Sequence, residues 1–220
     1  MAIFILMKSL KKRVTYTNNS SYETLNDLTE QTKNVWIVFH GIGFLSRYFL
    51  RFFKGLNTKE NYIIAPQAPS KYYLNDDYKY VGASWLTKED TQTELINVLN
   101  YIDAVLALEN IPDDKNLIVL GFSQGVSIAT RWLVKTKMKF KTLILYAGGI
   151  PSELTKEDFS FIDFKQSSVK IIYGDADEFL TPSRLENEKL KSAVLFQEQA
   201  EIQTFKGGHE IKPEILKQFE

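Results

Sequence analysis

The sequence predicts an α/β fold, a mostly parallel sheet with helices on both faces. Three observations carry this. Short apolar runs recur at Val35–Phe39, Asn61–Ala65, Thr142–Tyr146 and Val169–Tyr173, and continuous apolar runs suit strands buried on both faces. Helical patterns lie between them, which implies crossover connections. The chain has 220 residues, 44% of them apolar, with no internal repeat and no linker-like shift in composition. That is enough for one core and hardly enough for two, so residues 1–220 read as a single domain.

Taken in order, Met1–Met7 is a short apolar stretch with no basic segment before it and no small-residue cleavage site after it. It reads as a frayed leader, with Met7 an alternative initiator, and not as a signal peptide or a membrane span. Leu10–Tyr16 and Tyr22–Leu25 are β-prone and flank Thr17-Asn18-Asn19-Ser20-Ser21, so a hairpin or edge pair is expected. Val35–Phe39 runs into His40-Gly41-Ile42-Gly43. Phe44–Leu56 then reads as an aromatic helix, with Arg47 and Arg51 one turn apart. Ser70–Leu86 reads as a long loop rich in tyrosine. Thr91-Gln92-Thr93-Glu94 resembles a capping box before a helix bearing Leu95, Val98, Leu99, Ile102, Val105 and Leu106. Thr181-Pro182 signals a further helix start. Glu201–Phe205 reads as a closing edge strand, and Pro213 opens a last helix.

The chemistry centres on Asn116–Thr136, an apolar strand, then Gly121-Phe122-Ser123-Gln124-Gly125, then an amphipathic helix. This is the G-x-S-x-G pattern in its strand–turn–helix setting, the mark of an α/β-hydrolase fold. Gly121 and Gly125 are expected to clear space around Ser123 and to supply unusual backbone angles. The following helix would point its positive end at a developing oxyanion.

A serine nucleophile needs a base, and the base needs an orienting acid. Only His40 and His209 are available. His40 ends a buried strand and reads as structural, leaving His209, on a Gly-Gly loop, as the base. The acid comes from Gly174-Asp175-Ala176-Asp177, where Asp175 and Asp177 both qualify. An oxyanion hole needs two backbone N–H groups. Gln124 follows the nucleophile, and Ile42 is the best second donor. For a substrate pocket, the loop around Tyr73 follows a strand's C-terminal end, where ligands bind in open α/β sheets. Gly43 and Phe44 lie beside the oxyanion loop.

Composition narrows the partners. Basic and acidic side chains number 27 each, for a formal net charge of +0. That disfavours nucleic acid or an anionic membrane as the main partner. Cysteine is absent, which fits a reducing compartment, so a cytoplasmic location is expected. Two histidines and no cysteine exclude a histidine-rich or thiolate metal site.

With these residues in place, the chain resembles the phospholipase/carboxylesterase group that includes the acyl-protein thioesterases. The segments VFHGIG, IIAPQAPSKYYL, GASWLTKED, GFSQG, GDADEFLTP and GGHE occur in family order between Val38 and Glu210. The resemblance implies a minimal-lid hydrolase that needs no cofactor or metal and cleaves small esters or thioesters through an acyl-enzyme. It places the nucleophile on Ser123, the acid on Asp177, the base on His209 and the oxyanion amides on Ile42 and Gln124. It sets Trp85 beside the pocket, which then takes in Gly43, Phe44, Tyr73 and Trp85. Phe44 stands where the family usually has an acidic residue, and DEFLTP carries one residue more than the family's D-x-x-V-P. A monomer or homodimer is expected. Two other readings fit the same residues: acyl transfer to an acceptor other than water, and a non-catalytic binding protein on this scaffold. The intact serine, aspartate and histidine set argues against the second.

Overall fold

A computed structural model describes residues 10–220. In chain order the elements are β1 (Tyr22–Leu25), β2 (Asn34–Phe39), α1 (Ser46–Phe49), β3 (Asn61–Pro66), β4 (Ser70–Tyr73), β5 (Val81–Ser84) and α2 (Thr91–Glu109). They continue with β6 (Asn116–Phe122), α3 (Gln124–Thr136), β7 (Thr142–Tyr146), β8 (Ser168–Gly174), α4 (Pro182–Leu195), β9 (Ala200–Phe205) and α5 (Pro213–Leu216). Seven strands form one sheet in the order β1-β3-β2-β6-β7-β8-β9. All neighbours are parallel except β1, which pairs antiparallel with β3.

Strand alternation divides the interior into two layers. Val35, Ile37 and Phe39 face one side with Val119, Leu143 and Leu145, against Val98 and Ile102 of α2 and Val126, Ala129 and Trp132 of α3. Trp36 and Val38 face the other side with Ile118, Leu120, Ile144 and Tyr146, against Phe49, Phe53, Ile215 and Leu216. The doubly covered sheet is what the apolar runs predict. Among the described residues, no helix is long and apolar enough to cross a membrane.

Local expectations fared unevenly. The leader Met1–Met7 lies outside the described residues. Leu10–Tyr16 forms no strand, so the expected hairpin reduces to β1 alone on the sheet edge. The aromatic helix is only one α-turn, followed by a 3₁₀ turn over Leu50–Phe53. The tighter turn has a packing reason: its three-residue period puts Leu50 and Phe53 together on the buried side. Arg47 and Arg51 stack on the exposed Tyr48 ring, at 4.9 and 4.6 Å.

The tyrosine-rich segment is a small antiparallel hairpin rather than a loop, with Ser70 opposite Ser84 and Tyr73 opposite Val81. Tyr72 and Tyr73 of β4 pair with Gly82 and Val81 of β5, across a tip that contains Asn75-Asp76-Asp77. The capping box is also absent. Asp90, in a left-handed conformation, is the N-cap without a side-chain bond, and Thr91 Oγ1 donates to the Thr87 carbonyl instead. At α4 the expectation holds: Thr181 Oγ1 accepts from Arg184 N–H and Pro182 follows.

His40 closes β2 and ties it to the next crossover. Its Nδ1–H donates to the Gly41 carbonyl at 2.8 Å, and its Nε2 accepts from Ala68 N–H at 3.2 Å. The ring has no solvent exposure. Burial lowers its pKa from 6.5 to about 4, with the bond to Gly41 opposing in part. Folded His40 therefore refuses a proton that the unfolded chain accepts. Stability falls as pH drops from about 6.5 towards 4, by up to about 3 kcal/mol. Urea titrations of wild type and His40→Gln across that range should show a steeper loss in wild type. Parallel pH curves would contradict this.

Candidate active site

Ser123 stands between β6 and α3, at the C-terminal edge of the sheet. Its backbone is φ 54°, ψ −117°, an angle pair costly for any side-chain-bearing residue. Such strain costs about 1–3 kcal/mol and persists only where the surroundings impose it. The surroundings here are close backbone contacts. A side-chain carbon at Gly121 would collide with the Gly125 carbonyl, and one at Gly125 with the carbonyls of Phe39 and His40. Neither glycine has a positive φ. They serve close approach, and the unusual angle falls on Ser123 itself, which corrects the sequence reading. Ser123 N–H donates to the Tyr146 carbonyl at 2.8 Å, fixing the turn to β7.

The turn aims Ser123 Oγ at His209 Nε2, 2.9 Å away. His209 Nδ1 lies 2.8 Å from Asp177 Oδ2. A carboxylate accepts, so the proton sits on Nδ1 and the Nε2 lone pair faces the serine hydroxyl. The Asp177 side chain is 0% exposed, and its Oδ1 accepts from Phe179 N–H at 2.9 Å. Both carboxylate oxygens are thus engaged.

The choice between the two aspartates is visible in the turn after β8. Asp177 points inward. Asp175 is about half exposed, and its carboxylate accepts from Gly207 N–H at 3.1 Å. With Ala176 N–H donating to the Gly207 carbonyl at 2.9 Å, it clips the acid turn to the histidine loop. Tyr146 holds the far side of that loop by accepting from Lys212 N–H at 3.0 Å. Burial raises the Tyr146 hydroxyl to about 12, so it stays protonated. The imidazole packs against two phenyl rings, Phe122 at 5.1 Å and Phe179 at 4.8 Å.

Gln124 follows the serine directly, and Gly41, which packs against Ser123, precedes Ile42. Among the described residues, neither Ile42 N–H nor Gln124 N–H has a hydrogen-bond partner. Gly43 N–H is already taken by the Ala83 carbonyl. Gln124 begins α3, so its N–H adds to the positive end of that helix, and no acidic residue in the first turn offsets it.

The expected pocket residues separate. Gly43 lies under the β4–β5 hairpin, near Leu74 and the Tyr72 hydroxyl. Phe44 is half buried against Phe49, Phe52 and Phe122. Tyr73 is exposed and packs edge-on against Tyr78. Trp85 is a correction: it is 0% exposed and cannot line an open pocket. Its Nε1–H donates to the His40 carbonyl at 2.8 Å and its ring packs against Phe39, so it supports the loop after β2 from beneath. Sequence reasoning did not single out Phe179, Leu74 or the Gln124 side chain. For Phe179 the signal was the extra residue in DEFLTP. Among the described residues, no group of three or more His, Cys, Asp or Glu side chains could hold a metal ion.

Comparisons with known proteins agree with this architecture. The phospholipase/carboxylesterase family matches residues 22–220. No curated protein matches the chain by sequence. Among solved structures, acyl-protein thioesterase 2 of Zea mays is similar at a TM-score of 0.68 and 16% identity, covering 91% of this chain and 96% of that one. A phospholipase/carboxylesterase of Dyadobacter fermentans is similar at 0.64 and 22% identity, over 93% and 97%. Esterase PE8 is similar at 0.67 and 20% identity, over 92% and 98%. At these identities the structures speak for the α/β-hydrolase fold, and the family match across most of the chain speaks for membership. The chain belongs to the phospholipase/carboxylesterase family and is an esterase-type hydrolase.

Proposed function

We propose that the protein cleaves small carboxylic esters or thioesters through an acyl-enzyme formed on Ser123, with His209 as base and Asp177 as its orienting acid. The observation that carries this is the unbroken line from Ser123 Oγ to His209 Nε2, 2.9 Å, and from His209 Nδ1 to Asp177, 2.8 Å. Both lie within the reach that proton transfer requires.

In the acylation step, His209 Nε2 takes the proton of Ser123 Oγ as Oγ bonds to the acyl carbon. Negative charge moves to the carbonyl oxygen, where the Ile42 and Gln124 N–H groups receive it. The buried Asp177 carboxylate stabilises the imidazolium without taking its proton. His209 then protonates the leaving oxygen or sulfur, and the alcohol or thiol departs. Water enters, gives a proton to His209 and attacks the acyl-enzyme, which releases the carboxylic acid and frees Ser123. The exposed apolar side chains of Ile42, Leu74 and Phe179 suit an uncharged acyl group. The absence of cysteine supports a cytoplasmic setting.

The test is turnover on a panel of p-nitrophenyl esters and acyl thioesters of graded length, with intact mass taken early in the reaction. Wild type should turn over and show a transient adduct of one acyl group. Ser123→Ala should fold normally, lose at least about 10³-fold in kcat and form no adduct. Wild-type-like rates in that variant would refute the proposal. Asp177→Asn should lose up to ~10⁴-fold in kcat by mis-setting the histidine tautomer. Asp175→Asn should stay close to wild type, because an amide oxygen still accepts from Gly207 N–H. The reverse order in steady-state kinetics would transfer the acid's role to Asp175.

A further inference from the structure

The side chain of Gln124 makes more polar contacts than its place as first residue of a helix requires. Its Oε1 accepts from Trp85 N–H at 2.9 Å. Its Nε2 donates to the Leu86 carbonyl at 2.7 Å and to Ser84 Oγ at 3.1 Å. Ser84 Oγ itself donates to the Leu86 carbonyl at 2.9 Å. One amide thus fixes three consecutive residues at the end of β5, forty positions away in the chain.

That end of β5 governs the oxyanion loop. Ala83 and Trp85 are two residues apart, so the Ala83 C=O and the Trp85 N–H lie on the same strand edge. The opposite edge is occupied by β4, through Ser70–Ser84 and Tyr72–Gly82. On the free edge, the Ala83 carbonyl takes Gly43 N–H at 2.9 Å while Trp85 N–H goes to Gln124. The Trp85 indole adds its bond to the His40 carbonyl at 2.8 Å. Ile42 therefore sits between two residues, His40 and Gly43, that are both tied to β5, and β5 is tied to Gln124. The close contact of Gly125 with Phe39 and His40 anchors only the start of the loop. Its outer half, with the Ile42 N–H, is anchored through the hairpin.

We infer that the Gln124 side-chain amide is a positioning group that locks the end of β5 onto the first turn of α3 and so holds the Ile42 N–H at its catalytic distance from the Gln124 N–H. The inference rests on the hydrolase reading above. One residue then supplies an oxyanion donor with its backbone and sets the place of the other with its side chain. An amide is required because Trp85 N–H needs an acceptor and Leu86 C=O a donor. An apolar side chain of the same size leaves Trp85 N–H unpaired and the Leu86 carbonyl with Ser84 Oγ alone.

The test compares wild type, Gln124→Leu and Gln124→Met on p-nitrophenyl acetate across pH, with circular dichroism of each. Both variants keep the backbone N–H at position 124. The expected result is a roughly 10- to 100-fold fall in kcat, the scale of a displaced catalytic group, with KM little changed. The pH midpoint of the rate should also be unchanged, because the Asp177–His209 pair is untouched. A wild-type kcat in either folded variant, a loss confined to KM, or a shifted midpoint would overturn the inference. Unfolding of both variants would also overturn it, since the side chain would then serve the fold alone. A wild type that hydrolyses no ester would instead remove the underlying hydrolase reading, and this inference with it.

Discussion

The structure depends on one crowded turn. Between β6 and α3 the backbone must reverse within a few residues while pressed against the end of β2. Side chains are excluded at Gly121 and Gly125 because the space is filled by neighbouring carbonyls. The strain is concentrated on Ser123, at φ 54°. A surface loop would relax such an angle. Here it is held by the Ser123 N–H bond to Tyr146 and by helix α3, whose buried side carries Val126, Ala129, Trp132 and Leu133. Burial of that apolar face, at about 25 cal/mol per Å², readily offsets a strain of about 1–3 kcal/mol.

Everything else in the site is arranged around the direction this turn gives to Ser123 Oγ. The Asp177 and His209 loops leave neighbouring parallel strands, β8 and β9, and are clipped together by Asp175 and by a backbone bond from Ala176 to Gly207. The pair then presents His209 as a unit, its proton held on Nδ1 by a carboxylate with no solvent exposure. On the other flank, β2 delivers the loop His40–Gly43, and the β4–β5 hairpin secures its outer end. Two independent attachments therefore converge on one serine. A neutral, buried His40 suits this arrangement: a charge there would sit at the base of the loop after β2 and would need solvation that the core does not offer.

Legibility in the sequence followed the source of each constraint. The sheet was readable because strands buried on both faces must be continuously apolar, as Val35–Phe39 and Thr142–Tyr146 are. The juxtaposition of Ser123 and His209 was readable because glycines at fixed offsets mark where the backbone is tight. Asp177 was separable from Asp175 only through family resemblance, since local sequence does not say which of two side chains in one turn points inward. Trp85 was misplaced for a related reason: the resemblance set it beside the pocket, and nothing local in the sequence shows that it is buried against His40. The hairpin was hidden by its own polar tip. The Gln124 clamp was not legible at all, because its partners are mostly backbone groups of residues 84–86, and backbone groups leave no mark on composition.

The central claim is that this geometry makes Ser123 an activated nucleophile. The most direct measurement is reaction with a fluorophosphonate probe, followed by intact mass and peptide mapping of wild type beside Ser123→Ala. The account predicts one adduct on wild type, mapped to Ser123, and none on the variant. No adduct on folded wild type, or equal labelling of the two proteins, would contradict it.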